Sequence, residues 1–443
     1  MNNSFTVAPR VLIETYGCQM NVNDSEVVLA ILSKAGFSLC DKIEDASLVL
    51  INTCAIRDNA EQRILGRLDF YRLEKKKNPR LMVGVIGCMA ERLKDKLLAN
   101  PTVDLVAGPD AYRDLPKLIA ALVVTGQKQI NTILSHEETY GDISPVRMDL
   151  NGVSAYISIM RGCNNVCSYC VVPYTRGAER SRDCESILRE AREVIEAGYK
   201  EIILLGQNVD SYKFGEVTFA KLLEMVAQLS PSVRVRFATS HPKDMKDEVL
   251  LTMAAYPNIC KHIHLPVQSG SNTMLEKMRR RHTREWYLER VARIREIMPD
   301  CAITTDVITG FCGETEADFE DTLNLFRQVK FDAAFMFQYS ERPGTLAQRH
   351  YPDDVPPEVK TARLEKVIAL QGELSLESNR RDMGKCFEVL VEGYSKKSTA
   401  DLMGRTSQNK ACVFPAAGHK IGEYVTVRVL DCTPATLLCE VAE

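Results

Sequence analysis

The sequence predicts an α/β protein that ends in a small all-β module, and three patterns predict it. Near the N-terminus, three apolar strand-like runs each lead into a Cys and then into a helical stretch. In the middle, six strand-like runs alternate with amphipathic stretches. At the C-terminus, short β-rich runs are separated by Gly and polar turns. Alternating strands and helices build parallel sheets, near-continuous apolar strands belong in sheets covered on both faces, and short runs broken by turns close into small barrels.

The first part spans about residues 8–125. Arg10 to Tyr16 runs into Gly17-Cys18, Ala46 to Asn52 into Thr53-Cys54, and Leu81 to Ile86 into Gly87-Cys88. A helical stretch from Asp24 to Ala35 follows the first of these, with Asn23 or Asp24 expected as its N-cap. In such sheets ligands collect outside the carboxyl ends of the strands, where Cys18, Cys54 and Cys88 all fall. Three buried structural cysteines would be the plain alternative, since Cys packs as a small hydrophobe. As metal ligands they number three rather than four, which suits an iron–sulfur cluster with one open iron. Residues 126–148 are polar and rich in turn formers and are expected to be a linker.

The central part, about 149–382, places strands near 155–160, 201–205, 234–239, 262–267, 302–309 and 333–339. The first leads to Cys163-Asn-Asn-Val-Cys167-Ser-Tyr-Cys170. Soft thiolates so closely spaced suit an iron–sulfur cluster or zinc. A closed zinc site wants four ligands, and no fourth Cys or His lies close behind. Six βα units are too few for an eight-stranded barrel, yet chemistry in such folds sits at the carboxyl ends of strands. Those ends carry Gly206-Gln207-Asn208, Thr239-Ser240-His241, Pro266-Val-Gln268-Ser269 and Asp306 to Glu314. Two basic stretches, Arg176 to Arg182 and Lys277 to Arg284, follow the cysteine loop and the fourth strand.

The tail, 383–443, holds seven Lys plus Arg against seven Asp plus Glu. Lys396, Lys397, Arg405 and Lys410 fall in its loops beside Tyr394, a mixture that grips backbone and stacks bases. Over the whole chain the net charge is −3, which excludes a global basic signal for nucleic acid. Fifteen cysteines with no export signal point to a reducing cytoplasm and to metal or catalytic use. No apolar run approaches membrane-spanning length.

The cysteine triplet, with Tyr169 before its last member, resembles the signature of radical S-adenosylmethionine (SAM) enzymes. Glu14-Thr-Tyr-Gly-Cys-Gln-Met-Asn, Ile51-Asn-Thr-Cys and Ile86-Gly-Cys-Met resemble the N-terminal domain of the radical SAM methylthiotransferase family. Gly404 to Lys410, with Glu392 to Lys397, makes the tail at 383–443 resemble a TRAM domain, an RNA-binding module. The resemblance implies a partial (β/α)6 barrel in the centre and an OB-like barrel at the end. It implies two 4Fe-4S clusters: a sulfur-donating one on Cys18, Cys54 and Cys88, and a radical-generating one on Cys163, Cys167 and Cys170. SAM would be bound by Gln207, Asn208, Ser240, Gln268, Asp306 and Arg182, and RNA by Arg176, Arg180, Arg281, Lys396, Lys397, Arg405 and Lys410. Gln19-Met20-Asn21 after the first Cys is similar to the branch that inserts a methylthio group at carbon 2 of N6-isopentenyladenosine, position 37 of tRNA. That activity uses two SAM per turnover, one to methylate the sulfur and one to generate the radical. An electron donor such as flavodoxin or ferredoxin, an iron–sulfur delivery protein and a monomeric state are expected with it. The competing expectations are methylthiolation of threonylcarbamoyladenosine in tRNA or of a ribosomal protein, and, from another class, a zinc-bearing RNA-binding protein without catalysis.

Overall fold

A computed structural model describes residues 8–54, 58–148 and 152–442. The chain packs as two compact units. Residues 8–148, 160–165 and 170–186 form one; residues 152–159, 166–169 and 187–442 form the other. The cysteine-bearing stretch that the sequence assigns to the central part is therefore divided between the two.

The first unit is built on a six-stranded, all-parallel sheet: β1 (Arg10–Tyr16), β2 (Ser38–Leu39), β3 (Leu48–Thr53), β4 (Met82–Gly87), β5 (Leu105–Ala107) and β6 (Gln129–Asn131), in the order β2-β1-β3-β4-β5-β6. Its helices are α1 (Gln19–Lys34), α2 (Asp58–Lys77), α3 (Cys88–Leu93), α4 (Asp95–Leu98) and α5 (Leu115–Thr125). Side chains alternate across a strand, so β3 sends Leu48 and Leu50 into a core with Val28, Leu32 and Tyr112 on one face. Val49 and Ile51 go into a second core with Ile64, Leu68 and Tyr71 on the other. The stretch read as a linker is packed: it supplies β6, and Tyr140 is buried, stacked on Tyr112 at 5.6 Å with its hydroxyl donating to Pro109 O at 3.0 Å. After β7 (Ser154–Ser158), which lies in the second unit, the chain contributes β8 (Met160–Arg161), α6 (Val172–Arg176) and β9 (Arg180–Ser181) to the first.

The second unit holds α7 (Cys184–Glu196) from Ile187 onward, then β10 (Glu201–Leu205), a hairpin of β11 (Lys213–Phe214) and β12 (Val217–Thr218), α8 (Phe219–Leu229), β13 (Arg234–Ala238), α9 (Asp247–Ala255), β14 (His262–His264), α10 (Asn272–Lys277), α11 (Arg284–Ile297), β15 (Ala302–Thr309), α12 (Glu316–Val329), β16 (Ala333–Gln338), α13 (Leu346–His350) and α14 (Pro357–Arg380). Parallel sheets β7-β10-β13 and β14-β15-β16 meet through a Val235–Ile259 bridge and the Ser240 N–H to His264 O hydrogen bond of 3.4 Å. Six strands thus run in chain order as a partial barrel. Phe237 packs edge-on against Phe219 of α8, and Val235, Ile263, Ile303, Thr305 and Val307 are buried with it. The alternate residues, Arg236, His262, His264, Thr304 and Asp306, therefore face the lumen. His262 Nε2 and His264 Nδ1 each lie 3.0 Å from Thr304 Oγ1.

The tail closes as a barrel, β17 (Cys386–Ser395), β18 (Ser398–Arg405), β19 (Ala411–Pro415), β20 (Tyr424–Cys432) and β21 (Leu437–Val441), in the order β17-β18-β19-β21-β20. Its own core contains Val389, Val391, Leu402, Phe414 and Val427. The loop between β18 and β19 seals the N-terminal end of the six-stranded lumen. Arg236 donates to Thr406 O at 2.6 Å and to Ser407 O at 3.1 Å, Arg234 donates to Arg405 O at 2.7 Å, and the Lys261 N–H donates to Ser407 Oγ at 2.9 Å. No helix among the described residues is long and apolar enough to cross a membrane.

Candidate active site

Cys18, Cys54 and Cys88 stand at the carboxyl ends of three adjacent strands. Tyr16 pairs with Thr53 and Thr53 with Gly87, so each Cys lies one or two residues past a strand end in register with the next. The chain can turn there only because two positions carry no side chain. A Cβ on Gly17 would sit 2.3 Å from Asn21 Oδ1 and 3.0 Å from Cys54 Cβ. Gly87 has φ +91, and its Cβ would meet Asn52 Oδ1 at 2.5 Å. Cys18 is itself the N-cap of α1, which begins at Gln19 rather than at the expected Asn23 or Asp24. Those two residues are buried within the helix. A buried amide pair braces the loop: Asn21 Nδ2 donates to Asn52 Oδ1 at 3.1 Å, and Asn52 Nδ2 returns to Asn21 O at 2.8 Å.

The sulfurs differ in character. A hydrogen bond from Cys54, aided by the Arg176 guanidinium and by backbone N–H groups of Asn21 and Met20, brings the exposed Cys18 down to about 6. Burial pushes the Cys88 thiol up, and Arg176 opposes it. Among the described residues no group of three or more His, Cys, Asp or Glu is disposed to hold a single metal ion.

Around Cys88 lies a buried ion network. Arg176 Nε donates to Cys88 Sγ at 3.1 Å and Arg176 Nη2 to Asp24 Oδ2 at 2.7 Å. Arg161 Nη1 holds the other Asp24 oxygen at 2.8 Å, and Arg180 Nη2 pairs with Asp110 at 2.9 Å. Burial raises the Asp24 carboxyl, but the two guanidiniums outweigh it and hold it below the usual carboxylate range. Arg176 Nη1 is buried and has no partner among the described residues. This arrangement corrects the RNA contacts expected of Arg176 and Arg180: both side chains are almost fully buried, and the phosphate-like partners their forks require are Asp24 and Asp110. Arg182, expected on the SAM carboxylate, is likewise buried, with Nε on Ser186 Oγ at 2.9 Å and Nη2 on Ser186 O at 3.1 Å.

In the C-x3-C-x2-C loop every sulfur accepts an N–H. Asn165 N–H reaches Cys163 Sγ at 3.4 Å, Val172 N–H reaches Cys170 Sγ at 3.4 Å, and Arg280 Nη1 reaches Cys167 Sγ at 3.3 Å. Donors aimed at sulfur favour the thiolate, the form that ligates iron. Cys312 is buried in a core with Met274, Met278 and Phe311.

At the ends of the second and third barrel strands, buried acceptors lack partners: Gln207 Oε1, Asn208 Oδ1, both Asp210 oxygens and Ser240 Oγ. Asn208 Nδ2 is tied to Asp244 at 2.7 Å. Burial lifts the Asp210 carboxyl to about 7. Asp210 escapes sequence reasoning because an Asp five residues past a strand end reads as a turn former. Gln268 takes φ +74 and bridges to β15, donating to Asp306 O at 2.9 Å. Its lumen neighbours are Asp306, whose Oδ1 lies 3.4 Å from His264 Nε2, and Phe335, edge-on to His264 at 5.8 Å and 56% exposed. An exposed aromatic in a barrel lumen was equally invisible in the sequence, where Phe335 reads as core.

The Radical SAM superfamily is matched over residues 157–326, the Uncharacterized protein family UPF0004 over 10–108 and the TRAM domain over 380–442. A tRNA-2-methylthio-N(6)-dimethylallyladenosine synthase of Phocaeicola vulgatus is 58% identical over 433 residues, covering 97% of this chain and 95% of its own. That of Bacteroides thetaiotaomicron is 58% identical with the same coverage, and that of Porphyromonas gingivalis 54% identical over 98% of this chain and 95% of its own. The chain belongs to this synthase family. Among solved structures, the radical S-adenosylmethionine methyltransferase TsrM of Kitasatospora setae matches with TM-score 0.57 and 15% identity, over 76% of this chain and 75% of its own. The cobalamin-dependent radical enzyme OxsB matches with TM-score 0.53 and 15% identity, over 81% of this chain and 56% of its own. These likenesses establish the fold.

For this synthase-family chain, the remaining basic residues divide by exposure. Arg281, Lys396, Lys397 and Tyr394 are exposed. Arg405 is half-exposed, 3.4 Å from Glu392. Lys410 corrects the RNA expectation: its Nζ is spent on Asp382 at 2.6 Å and Ser378 Oγ at 2.9 Å, fastening β19 to the end of α14.

Proposed function

We propose that this chain is a radical SAM tRNA methylthiotransferase that inserts a methylthio group at carbon 2 of N6-isopentenyladenosine at position 37. The observation that carries the reading is full-length identity above half to synthases of that name, joined to two three-cysteine sets at strand ends. Bound at these sites, SAM and two 4Fe-4S clusters supply the methyl group, the radical abstraction of hydrogen and the inserted sulfur. Cys163, Cys167 and Cys170 hold one cluster; Cys18, Cys54 and Cys88 hold the other. Gln207, Asn208, Asp210 and Ser240 offer unpartnered acceptors to the SAM ammonium and ribose, and Gln268 and Asp306 line the lumen beside them. The target base leaves its stack at a cost of a few kcal/mol, least in an anticodon loop. Phe335 and His264 give it an aromatic wall, worth about 1–3 kcal/mol of stacking. Lys396, Lys397, Tyr394 and Arg281 hold the anticodon stem-loop. A consumption of two SAM per turnover, supply of electrons by a flavodoxin- or ferredoxin-type donor, cluster loading by a delivery protein and a monomeric enzyme complete the reading.

Anaerobic reconstitution tests it. Wild type is expected to bind about eight iron and a Cys163, Cys167 and Cys170 to Ala variant about four. The wild type is expected to methylthiolate a stem-loop carrying isopentenyladenosine and not one carrying threonylcarbamoyladenosine. About four iron in the wild type, or zinc in its place, would remove the sulfur-donor role of the first unit.

A further inference from the structure

We propose that Arg176 is a positioning residue that sets the reduction potential of the cluster on Cys18, Cys54 and Cys88, with Asp24 as its counter-charge. The inference rests on the two-cluster reading. Three observations lead to it. Arg176 Nε donates to the sulfur of a ligand, Cys88, at 3.1 Å. Its Nη2 is anchored 2.7 Å from an Asp24 carboxylate that Arg161 also holds, so the fork cannot swing away. Its Nη1 is buried with no acceptor among the described residues. A buried donor left unpaired costs about 1–3 kcal/mol, a cost that sulfur acceptors of a cluster held by the three thiols would relieve. Cys88 Sγ, itself buried, takes the bond away from water, where a single N–H···S contact counts most.

The direction of the effect follows from charge. Potentials of iron–sulfur clusters rise with hydrogen bonds to the sulfurs and with nearby positive charge, because reduction adds an electron. Asp24, Arg161, Arg176, Asp110 and Arg180 together carry one net positive charge at the edge of the site. Removing Arg176 takes one positive charge and one or more sulfur hydrogen bonds away. Neutralising Asp24 adds one net positive charge and keeps the Arg176 side chain.

The experiment uses the full chain with Cys163, Cys167 and Cys170 changed to Ala, reconstituted anaerobically so that a single cluster is read. Its midpoint potential is measured by dye-mediated redox titration followed by electron paramagnetic resonance. Arg176→Met is expected to shift the one-electron equilibrium about tenfold toward the oxidised cluster, ~59 mV downward. Asp24→Asn is expected to shift it upward by a similar factor, and Arg176→Lys to fall between Met and the parent. A purely structural role would change iron content in both variants without moving their potentials in opposite directions. If Arg176→Met does not retain a cluster, Asp24→Asn decides: an upward shift upholds the proposal and an unmoved or lowered potential overturns it. Parental potentials in both loaded variants overturn it as well. Absence of iron from the parental triple variant is a distinct result, which ends the two-cluster reading and this inference with it.

Discussion

Asp210 shows how a single residue can trade stability for binding. Its carboxyl is buried, both oxygens lack partners, and burial carries its titration to about 7. A folded-state value above the unfolded one means that stability is full below the unfolded value near 3.8 and falls as pH rises toward 7, where the native carboxyl finally ionises. Asp210→Asn is therefore expected to stabilise the cluster-free protein by roughly 1–4 kcal/mol at pH 7.5 but not at pH 4, read as a raised Tm, while weakening SAM binding. Scanning calorimetry at both pH values checks it; equal Tm differences would show that the carboxyl pays no burial cost. Gly87→Ala is expected to lower stability by roughly 1–3 kcal/mol, because φ +91 and the 2.5 Å approach to Asn52 Oδ1 leave no room for a Cβ. Denaturant unfolding and the iron content of the reconstituted protein both read it. The cysteines were legible in the sequence because thiol chemistry is local and rare. The partners of Asp24 were not: Arg161 and Arg176 lie 137 and 152 residues away, and isolated Arg residues near a loop read as phosphate ligands.

At the scale of elements, the longer barrel strands were legible from their apolar runs, and β10 and β15 fall where those runs lie. The fourth ends at His264, short of the expected Val267, since Pro266 donates no ladder hydrogen bond and Gln268 resumes the contact only as a bridge. Strands β2, β5 and β6 escaped because two or three residues carry no measurable periodicity. The loop after β18 was read as an RNA grip on the strength of Arg405 and Lys410, yet its backbone oxygens are what the structure uses. Arg236→Ala is expected to cost roughly 3–5 kcal/mol, because Glu201 is left buried without its partner. Hydrogen exchange should rise at residues 405–409 while the β17–β21 core stays protected. Unchanged exchange at the loop would mean that the neighbouring bonds from Arg234 and Lys261 suffice.

Over the whole molecule, a net charge of −3 leaves tRNA binding to local patches, and exposure sorts those patches better than composition does. Replacing both Lys396 and Lys397 by Ala is expected to weaken stem-loop binding and to lower the slope of log K against log salt by roughly 1.5–2. Lys410→Ala should lower stability and leave that slope alone, since its charge is committed to Asp382. Fluorescence titrations at several salt concentrations separate the two. The seal formed by residues 405–409 also bears on how the chain is made. At synthesis rates of roughly 5–20 residues per second, that seal arrives about 3–13 seconds after the last barrel strand. Until then the lumen is open at its base, with Arg234, Arg236 and the Lys261 N–H waiting for partners still to be translated. A premature stop before residue 405 would consequently yield a bottomless barrel prone to aggregation, rather than an enzyme that has merely lost its grip on RNA.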